Sequence, residues 1–217
     1  METIPTRRAF LATGIASAAL PFFADASGKE QDGEEGKAKG KEKEEEEVSP
    51  AEDLMREHGV LKRIMLVYGE AITRLDAGKE LSPDPVAAAA KMVRSFVEDY
   101  HEKLEEDFLF PRFRKAKVEV ELVDVLTAQH AAGRKLTDVI LRSASVKSLK
   151  EKEGKAALRQ AMSQFIRMYS PHEAREDTVL FPALRRIVSA HEYAALGEDF
   201  EKKEHALFGE DGFEKMV

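Results

Sequence analysis

Cysteine is absent from the 217-residue sequence. The chain therefore cannot form disulfides, cannot carry a lipid on a signal-peptide cysteine, and cannot offer thiolates to a metal ion. An excess of basic residues is also absent, because the formal net charge is −7. Nucleic acids are bound through clustered Lys and Arg, so this charge argues against nucleic acid as a partner.

The apolar run near the N-terminus is too short to span a membrane as a mature helix. It follows Arg7 and Arg8 and ends at the small-x-small sequence Ala24-Asp25-Ala26, which is typical of a cleavage site. We predict that residues 1–26 are a signal peptide, similar to the twin-arginine class, which exports folded proteins. The mature protein would then lie in the bacterial periplasm and would not be an integral membrane protein. The alternative is a frayed or membrane-anchoring N-terminus.

Residues 27–48 are rich in Lys, Glu and Gly and have almost nothing apolar before Val48. Such a segment cannot offset the entropy of ordering, so we predict a disordered linker. Residues 49–210 are predicted to form one domain.

The domain has helical periodicity throughout and no segment that alternates like a strand. We predict an all-α fold, an antiparallel up-down-up-down four-helix bundle with an additional short C-terminal helix. Pro111 is expected to limit or kink the second helix at about Phe110, and Val179 is expected to face inward. The expected helix starts are a capping box at Ser49 and Glu52, Val86, Val118, a box at Ser148 and Glu151, and Ser189.

One phrase occurs twice in the sequence, as HEKLEEDFLFP at residues 101–111 and HEAREDTVLFP at residues 172–182. His58 and His130 precede the two copies by about 42 residues each. Each half of the bundle is therefore predicted to be a helical hairpin, and the two hairpins are predicted to be related by an approximate twofold axis.

The repeated His and Glu residues are predicted to bind metal. A spacing of four residues places His101 and Glu105 on one helix face, about one turn apart, and His172 and Glu176 in the same way. Buried carboxylates need compensating charge, which divalent cations supply. Four imidazoles and two carboxylates are too many donors for one tetrahedral zinc and suit two metal ions. Nitrogen and oxygen donors favour iron, with manganese or zinc less favoured.

Other His and Glu residues are assigned to different roles. His191 and His205 fall outside the repeat and are expected on the surface. Glu102, Glu106 and Glu173 are expected on solvated faces, although Glu102 and Glu173 could instead hydrogen-bond to metal ligands.

At these residues the sequence resembles the hemerythrin-like HHE cation-binding family, over about residues 50–187. The resemblance implies a four-helix bundle with a non-haem di-iron centre, in which Glu105 and Glu176 bridge the ions. The terminal ligands would be His58, His101, His130 and His172. Oxygen-carrying hemerythrins have a second histidine where this chain has Arg134, and an aspartate where it has Glu176. The four-His, two-Glu set is similar to the branch that includes the di-iron domain of iron–sulfur cluster repair proteins.

The expected function is that of an exported di-iron protein that binds O₂ or NO for sensing, scavenging or stress protection. The alternatives are a redox enzyme that reduces NO or peroxide with an unidentified electron donor, iron storage or delivery, and a purely structural bundle. No catalytic residue is assigned, and the sequence does not decide whether the protein is an enzyme.

Overall fold

The structure is a computed structural model that describes residues 49–209 and 212–216. The predicted signal peptide and linker lie outside the described residues. Within these residues the chain is helical and contains no strand, which confirms the all-α prediction. No helix in the described part is long and apolar enough to cross a membrane. The helices are α1 (Pro50–Asp76), α2 (residues 83–116), α3 (Val120–Ser143), α4 (residues 152–187), α5 (Ala190–Phe208) and α6 (Gly212–Met216).

Helices α1 to α4 form the predicted bundle. Contacts between α1 and α4 run in opposite directions along the two helices, since Asp76 pairs with Arg159 whereas His58 contacts Asp177. Contacts between α2 and α3 do the same, since Arg94 bonds Asp138 and Arg114 bonds Asp124. Both of these neighbouring pairs are therefore antiparallel, as an up-down-up-down bundle requires.

Helix α5 covers one side of the bundle. Its buried Phe200 makes an edge contact with Phe108 of α2, at 5.7 Å between ring centroids. Phe208, at the end of α5, lies 5.4 Å from the ring of Tyr100. These aromatic contacts fix the additional C-terminal helix against α2.

The predicted starts of α1 and α5 agree with the structure because side chains cap them locally. Ser49 and Glu52 form a reciprocal capping box, and Ser189 accepts a hydrogen bond from the backbone of Glu192. The expected box at the start of α4 is wrong. Residues Ser148–Lys150 instead form a single 3₁₀ turn, and α4 begins at Lys152 without a side-chain cap.

Helices α2 and α4 both widen into a π turn that begins at the glutamate of the repeated phrase. These π turns are Glu105–Leu109 and Glu176–Leu180, and each is followed by Phe-Pro. Helix α2 also contains a longer π segment, Val93–His101, which ends at the histidine of its copy of the phrase.

Proline has no N–H and its ring clashes with the carbonyl four residues earlier, and the wider turns before Pro111 and Pro182 accommodate it. Proline is not a general cause of the π turns, because Pro171 lies in regular α-helix and Val93–His101 has no proline just after it. Of the two expected effects of Pro111, a limit to α2 at about Phe110 is wrong, since the helix continues to Ala116.

The π turn in α4 also changes which residues face the core. Val179, which was expected to face inward, is 38% exposed, whereas Leu180 and Phe181 are buried. One extra residue in the turn rotates the following positions relative to regular 3.6-residue periodicity. The prediction that Val179 faces inward is therefore wrong, because it assumed regular helical periodicity through this turn.

Candidate metal centre

Six side chains from the four bundle helices meet at one level of the core. Helices α1 and α3 each contribute one histidine, and α2 and α4 each contribute a histidine and a glutamate one turn later. All six are buried, with at most 4% of their surface exposed: His58, His101, Glu105, His130, His172 and Glu176. The structure thus brings together every residue that the repeat predicted as a metal ligand.

The histidines form two pairs through their Nε2 atoms. In the first pair, Nε2 of His58 lies 3.1 Å from Nε2 of His101. In the second pair, Nε2 of His130 lies 3.2 Å from Nε2 of His172. The first pair joins α1 to α2 and the second joins α3 to α4, so each hairpin contains one pair, as the repeat predicts.

The two glutamates lie between the pairs, and each directs one oxygen to each pair. Glu105 places Oε1 3.9 Å from His101 and Oε2 3.4 Å from His130. Glu176 places Oε2 3.4 Å from His58 and Oε1 3.1 Å from His172. Each carboxylate is thus positioned to span two neighbouring cation positions.

All four of these carboxylate oxygens are buried without a hydrogen-bond partner among the described residues. A buried carboxylate in this state costs several kcal/mol unless a cation compensates it. Groups drawn from these histidines and glutamates lie close enough to hold metal ions. The donor set therefore fits divalent cations, with imidazole nitrogens from the histidine pairs and carboxylate oxygens from the glutamates.

The Nδ1 atoms of the four histidines all face oxygen acceptors. Because carboxylate and amide oxygens only accept, a neutral imidazole here carries its proton on Nδ1 and directs the Nε2 lone pair into the centre. This is the tautomer that a metal ligand requires. The Nδ1 contacts are His58 to Asp177 at 2.7 Å, His101 to Glu57 at 2.7 Å, His130 to Glu106 at 3.1 Å, and His172 to Gln129 at 3.0 Å.

Sequence reasoning missed these four acceptors, and it wrongly assigned Glu106 to a solvated face. A signal was present in the repeat. Glu57 and Gln129 directly precede the first histidine of each half, and Glu106 and Asp177 directly follow the repeated glutamates. Extending the repeat by one residue on either side would have identified them.

Two phenylalanines from the repeated Leu-Phe-Pro close the centre. Phe181 stacks on His58 with 5.6 Å between ring centroids, and Phe110 stacks on His130 at 5.5 Å. Each phenylalanine belongs to one hairpin and covers a histidine of the other. The Leu-Phe-Pro phrase therefore shields the centre as well as accompanying the π turn.

Charge within the cluster is balanced by protons in the absence of a cation. Burial alone would lower the pKa of His58, but the carboxylates of Asp177 and Glu176 outweigh it and raise that pKa to about 10. Burial would likewise lower the pKa of His130, which Glu105 and Glu106 raise to about 10. Metal ions that bind here must displace these protons, so metal and proton compete.

A buried polar group lies beside the second histidine pair. The Tyr169 hydroxyl donates to Glu102 at 2.6 Å, and Arg134 lies 2.8 Å from the other oxygen of Glu102. Arg134 also contacts Glu106 at 2.6 Å. The hydroxyl of Tyr169 packs directly over Gly133, where an added Cβ would lie only 2.0 Å from it. This close approach explains a glycine in the middle of α3.

Glu102 and Glu173 are not on solvated faces, since each is 1% exposed. Neither accepts from a histidine Nδ1, so the suggested hydrogen bonds to metal ligands are also wrong. Burial raises the pKa of Glu173 to about 7 despite nearby His58 and Lys62. By contrast, His191 and His205 lie exposed on α5.

Two histidine pairs joined by two shared glutamates in a helical bundle define a cation-binding helical domain. The chain belongs to the hemerythrin HHE cation-binding domain family, whose model matches residues 49–148 and 121–211. Domains of this family bind metal ions, typically iron.

The chain is also similar to mycobacterial proteins. An uncharacterized protein of Mycobacterium tuberculosis (strain H37Rv) is 41% identical over 211 residues, which cover 97% of this chain and 83% of the relative. An uncharacterized protein of Mycobacterium bovis matches with the same identity and coverage. No solved structure matches the chain.

Proposed function

We propose that this protein is an exported non-haem di-iron protein that binds O₂ or NO for sensing, scavenging or protection against stress. The observation that carries the proposal is the pair of glutamates, whose four buried oxygens lack hydrogen-bond partners and point to two histidine pairs. Two positions, each with two nitrogens and two oxygens, leave iron short of its usual five or six ligands. When bound, iron would supply an open coordination position and redox electrons.

Iron is the proposed metal because the ligands are imidazoles and carboxylates without sulfur. The six-donor set also supports placing the chain in the family branch with four histidines and two glutamates. Manganese and zinc are the competing ions, and metal analysis distinguishes them.

Burial of the centre supports a small ligand. All six donors are at most 4% exposed, and Phe110 and Phe181 stack against two of the histidines. A diatomic molecule needs far less space than an organic substrate. The low polarity of the aromatic cover also suits an uncharged gas.

One observation favours a redox enzyme as the second candidate. The buried Tyr169 hydroxyl is hydrogen-bonded to Glu102 beside His172, with 5.3 Å between the rings of Tyr169 and His172. A reaction that reduces NO or peroxide needs a proton source near the metal. Repeated consumption of NO or peroxide with an electron donor would support the enzyme, whereas a single stoichiometric complex supports the binding protein.

The test is anaerobic reconstitution with ferrous iron, followed by metal analysis and absorption spectra before and after NO and O₂. We expect two irons per chain, and spectral changes that require them. His101→Ala should lose iron and the spectral response, whereas His191→Ala should retain both. Trace iron in the wild type, with no effect of His101→Ala except on stability, would refute the proposal. Iron that leaves readily to a chelator, without a response to either gas, would indicate storage or delivery instead.

Export is part of the proposal because it explains how the metal could be selected. Imidazole and carboxylate ligands do not by themselves reject copper or zinc. A protein exported in the folded state can acquire iron in the cytoplasm before it crosses the membrane. Replacing Arg7 and Arg8 by lysines should retain the protein in the cytoplasm, and unchanged export would exclude the twin-arginine route.

A further inference from the structure

The hydrogen bonds around the two histidine pairs are related by the repeat but are not identical. Asp177 and Glu106 occupy matching positions, and each accepts from the first histidine of a pair. Glu57 and Gln129 also match, but one is a carboxylate and the other an amide. His101 therefore donates to a charged acceptor, whereas His172 donates to a neutral one.

Neighbouring cations add to this difference. In the second pair, the acceptor Glu106 is itself in ion pairs with Arg134 and Lys103. Arg134 also pairs with the buried Glu102. In the first pair, Lys62 lies 3.6 Å from the acceptor Asp177, and its side chain is 57% exposed, compared with 46% for Lys103. The two cations near the second pair thus offset Glu106 and Glu102, whereas Lys62 is the cation beside Asp177 and Glu57 is a second carboxylate there, so the first pair's surroundings are the more negative.

Glu57 is held firmly where it acts. One of its oxygens lies 2.7 Å from Nδ1 of His101, and the other accepts from the Tyr100 hydroxyl at 3.0 Å. Glu57 is 2% exposed, so water screens its charge poorly. A fixed buried carboxylate on Nδ1 makes the imidazole a stronger electron donor than an amide does.

We propose that the two metal positions are inequivalent and that Glu57, opposed to Gln129, is the positioning residue that makes them so. The His58–His101 position binds its ion more tightly and stabilises the ferric state more than the His130–His172 position. Iron at the second position is then the first to be reduced and the first to be released. This inference rests on the proposed di-iron centre, and it adds the order in which the two irons are reduced and released.

The test compares wild type with Glu57→Gln and Gln129→Glu, two nearly isosteric changes that act on opposite positions. Anaerobic ferrous iron is titrated against a competing chelator to obtain two stepwise affinities. We expect the wild type to bind in two distinct steps. Glu57→Gln should weaken the tighter step by about 10- to 100-fold, as is typical when the hydrogen-bond partner of a ligand is changed. Gln129→Glu should strengthen the weaker step.

Spectroscopic and redox measurements distinguish this role from a merely structural one. Mössbauer spectra of the iron-loaded wild type should show two environments that become more alike in either variant. The gap between the two reduction potentials should narrow, by about 59 mV for each tenfold change in the ratio of ferric to ferrous affinity. Glu70→Gln is the control, because Glu70 lies on the same helix as Glu57 but is exposed.

The outcomes separate this inference from the proposed function. If the wild type binds two irons in one indistinguishable step, the inference is wrong and the di-iron centre stands. The inference is equally wrong if Glu57→Gln weakens both steps alike, or if Gln129→Glu leaves the weaker step unchanged. A wild type that binds no iron would overturn both.

Discussion

Gly133→Ala is a mutation for which helix propensity and tertiary packing predict opposite results. Alanine is favoured over glycine in a helix interior by roughly 0.5–1 kcal/mol, so propensity alone predicts stabilisation. The structure predicts the reverse. A Cβ at this position would lie 2.0 Å from Oη, 2.8 Å from Cζ and 3.0 Å from Cε2 of Tyr169.

The loss of stability in Gly133→Ala comes from the contacts of Tyr169 that the new Cβ would disturb. Tyr169 is 1% exposed, so overpacking against its ring costs about 1–3 kcal/mol. Displacement would also break the bond to Glu102 and leave a buried oxygen unsatisfied, which costs about 1–3 kcal/mol more. After the gain in propensity, we expect a net loss of about 3 kcal/mol in the free energy of unfolding.

Urea denaturation of chelator-treated protein measures this difference, with Gly69→Ala as the matched control. Gly69 lies within α1, and a Cβ there would meet nothing within 4 Å, so we expect stabilisation of up to about 1 kcal/mol. Tyr169→Phe should cost less in the Gly133→Ala background than in the wild type, because the hydroxyl makes the closest contact. A Gly133→Ala variant as stable as the wild type would refute the packing argument.

Three further predictions concern charge in the core. Glu176→Gln removes a carboxylate that faces both histidine pairs, so metal analysis should find one iron per chain or fewer, and two irons would contradict the assignment. Because the pKa values of His58 and His130 are about 10 without metal, equilibrium dialysis should show iron affinity falling between pH 8 and pH 6; a constant affinity would show that protons do not compete. Burial raises the pKa of Glu98 from 4.5 to about 7. The folded-state pKa is the higher one, so the stability linked to Glu98 is complete below pH 4.5 and is lost as the pH rises through 7, by up to about 3 kcal/mol. Urea denaturation of Glu98→Gln should therefore show higher stability than the wild type at pH 8 and little difference at pH 4.5, and equal curves at pH 8 would contradict this.

Local signals in the sequence predicted much of the fold. Ser49 with Glu52, and Ser189, cap their helices through backbone groups only three residues away, so their effect does not depend on the rest of the chain. The π turns were not predicted, because no residue type marks them consistently. Pro111 and Pro182 follow two of them, but the π segment Val93–His101 has no proline just after it, and Pro171 lies in regular α-helix.

The doubled His-Glu phrase, with one earlier histidine in each half, determined by itself which six residues should meet and that two hairpins should present them. A repeat carries this information because residues at the same spacing on two helices lie on the same face of each helix. Only the tertiary structure decided that Glu57 and Gln129 reach Nδ1 of a histidine on the neighbouring helix, that Arg134 neutralises part of the second pair's surroundings, and that Tyr169 lies against Gly133. These contacts join different helices, and they depend on how far each helix is rotated and shifted against its neighbour, which no local pattern specifies.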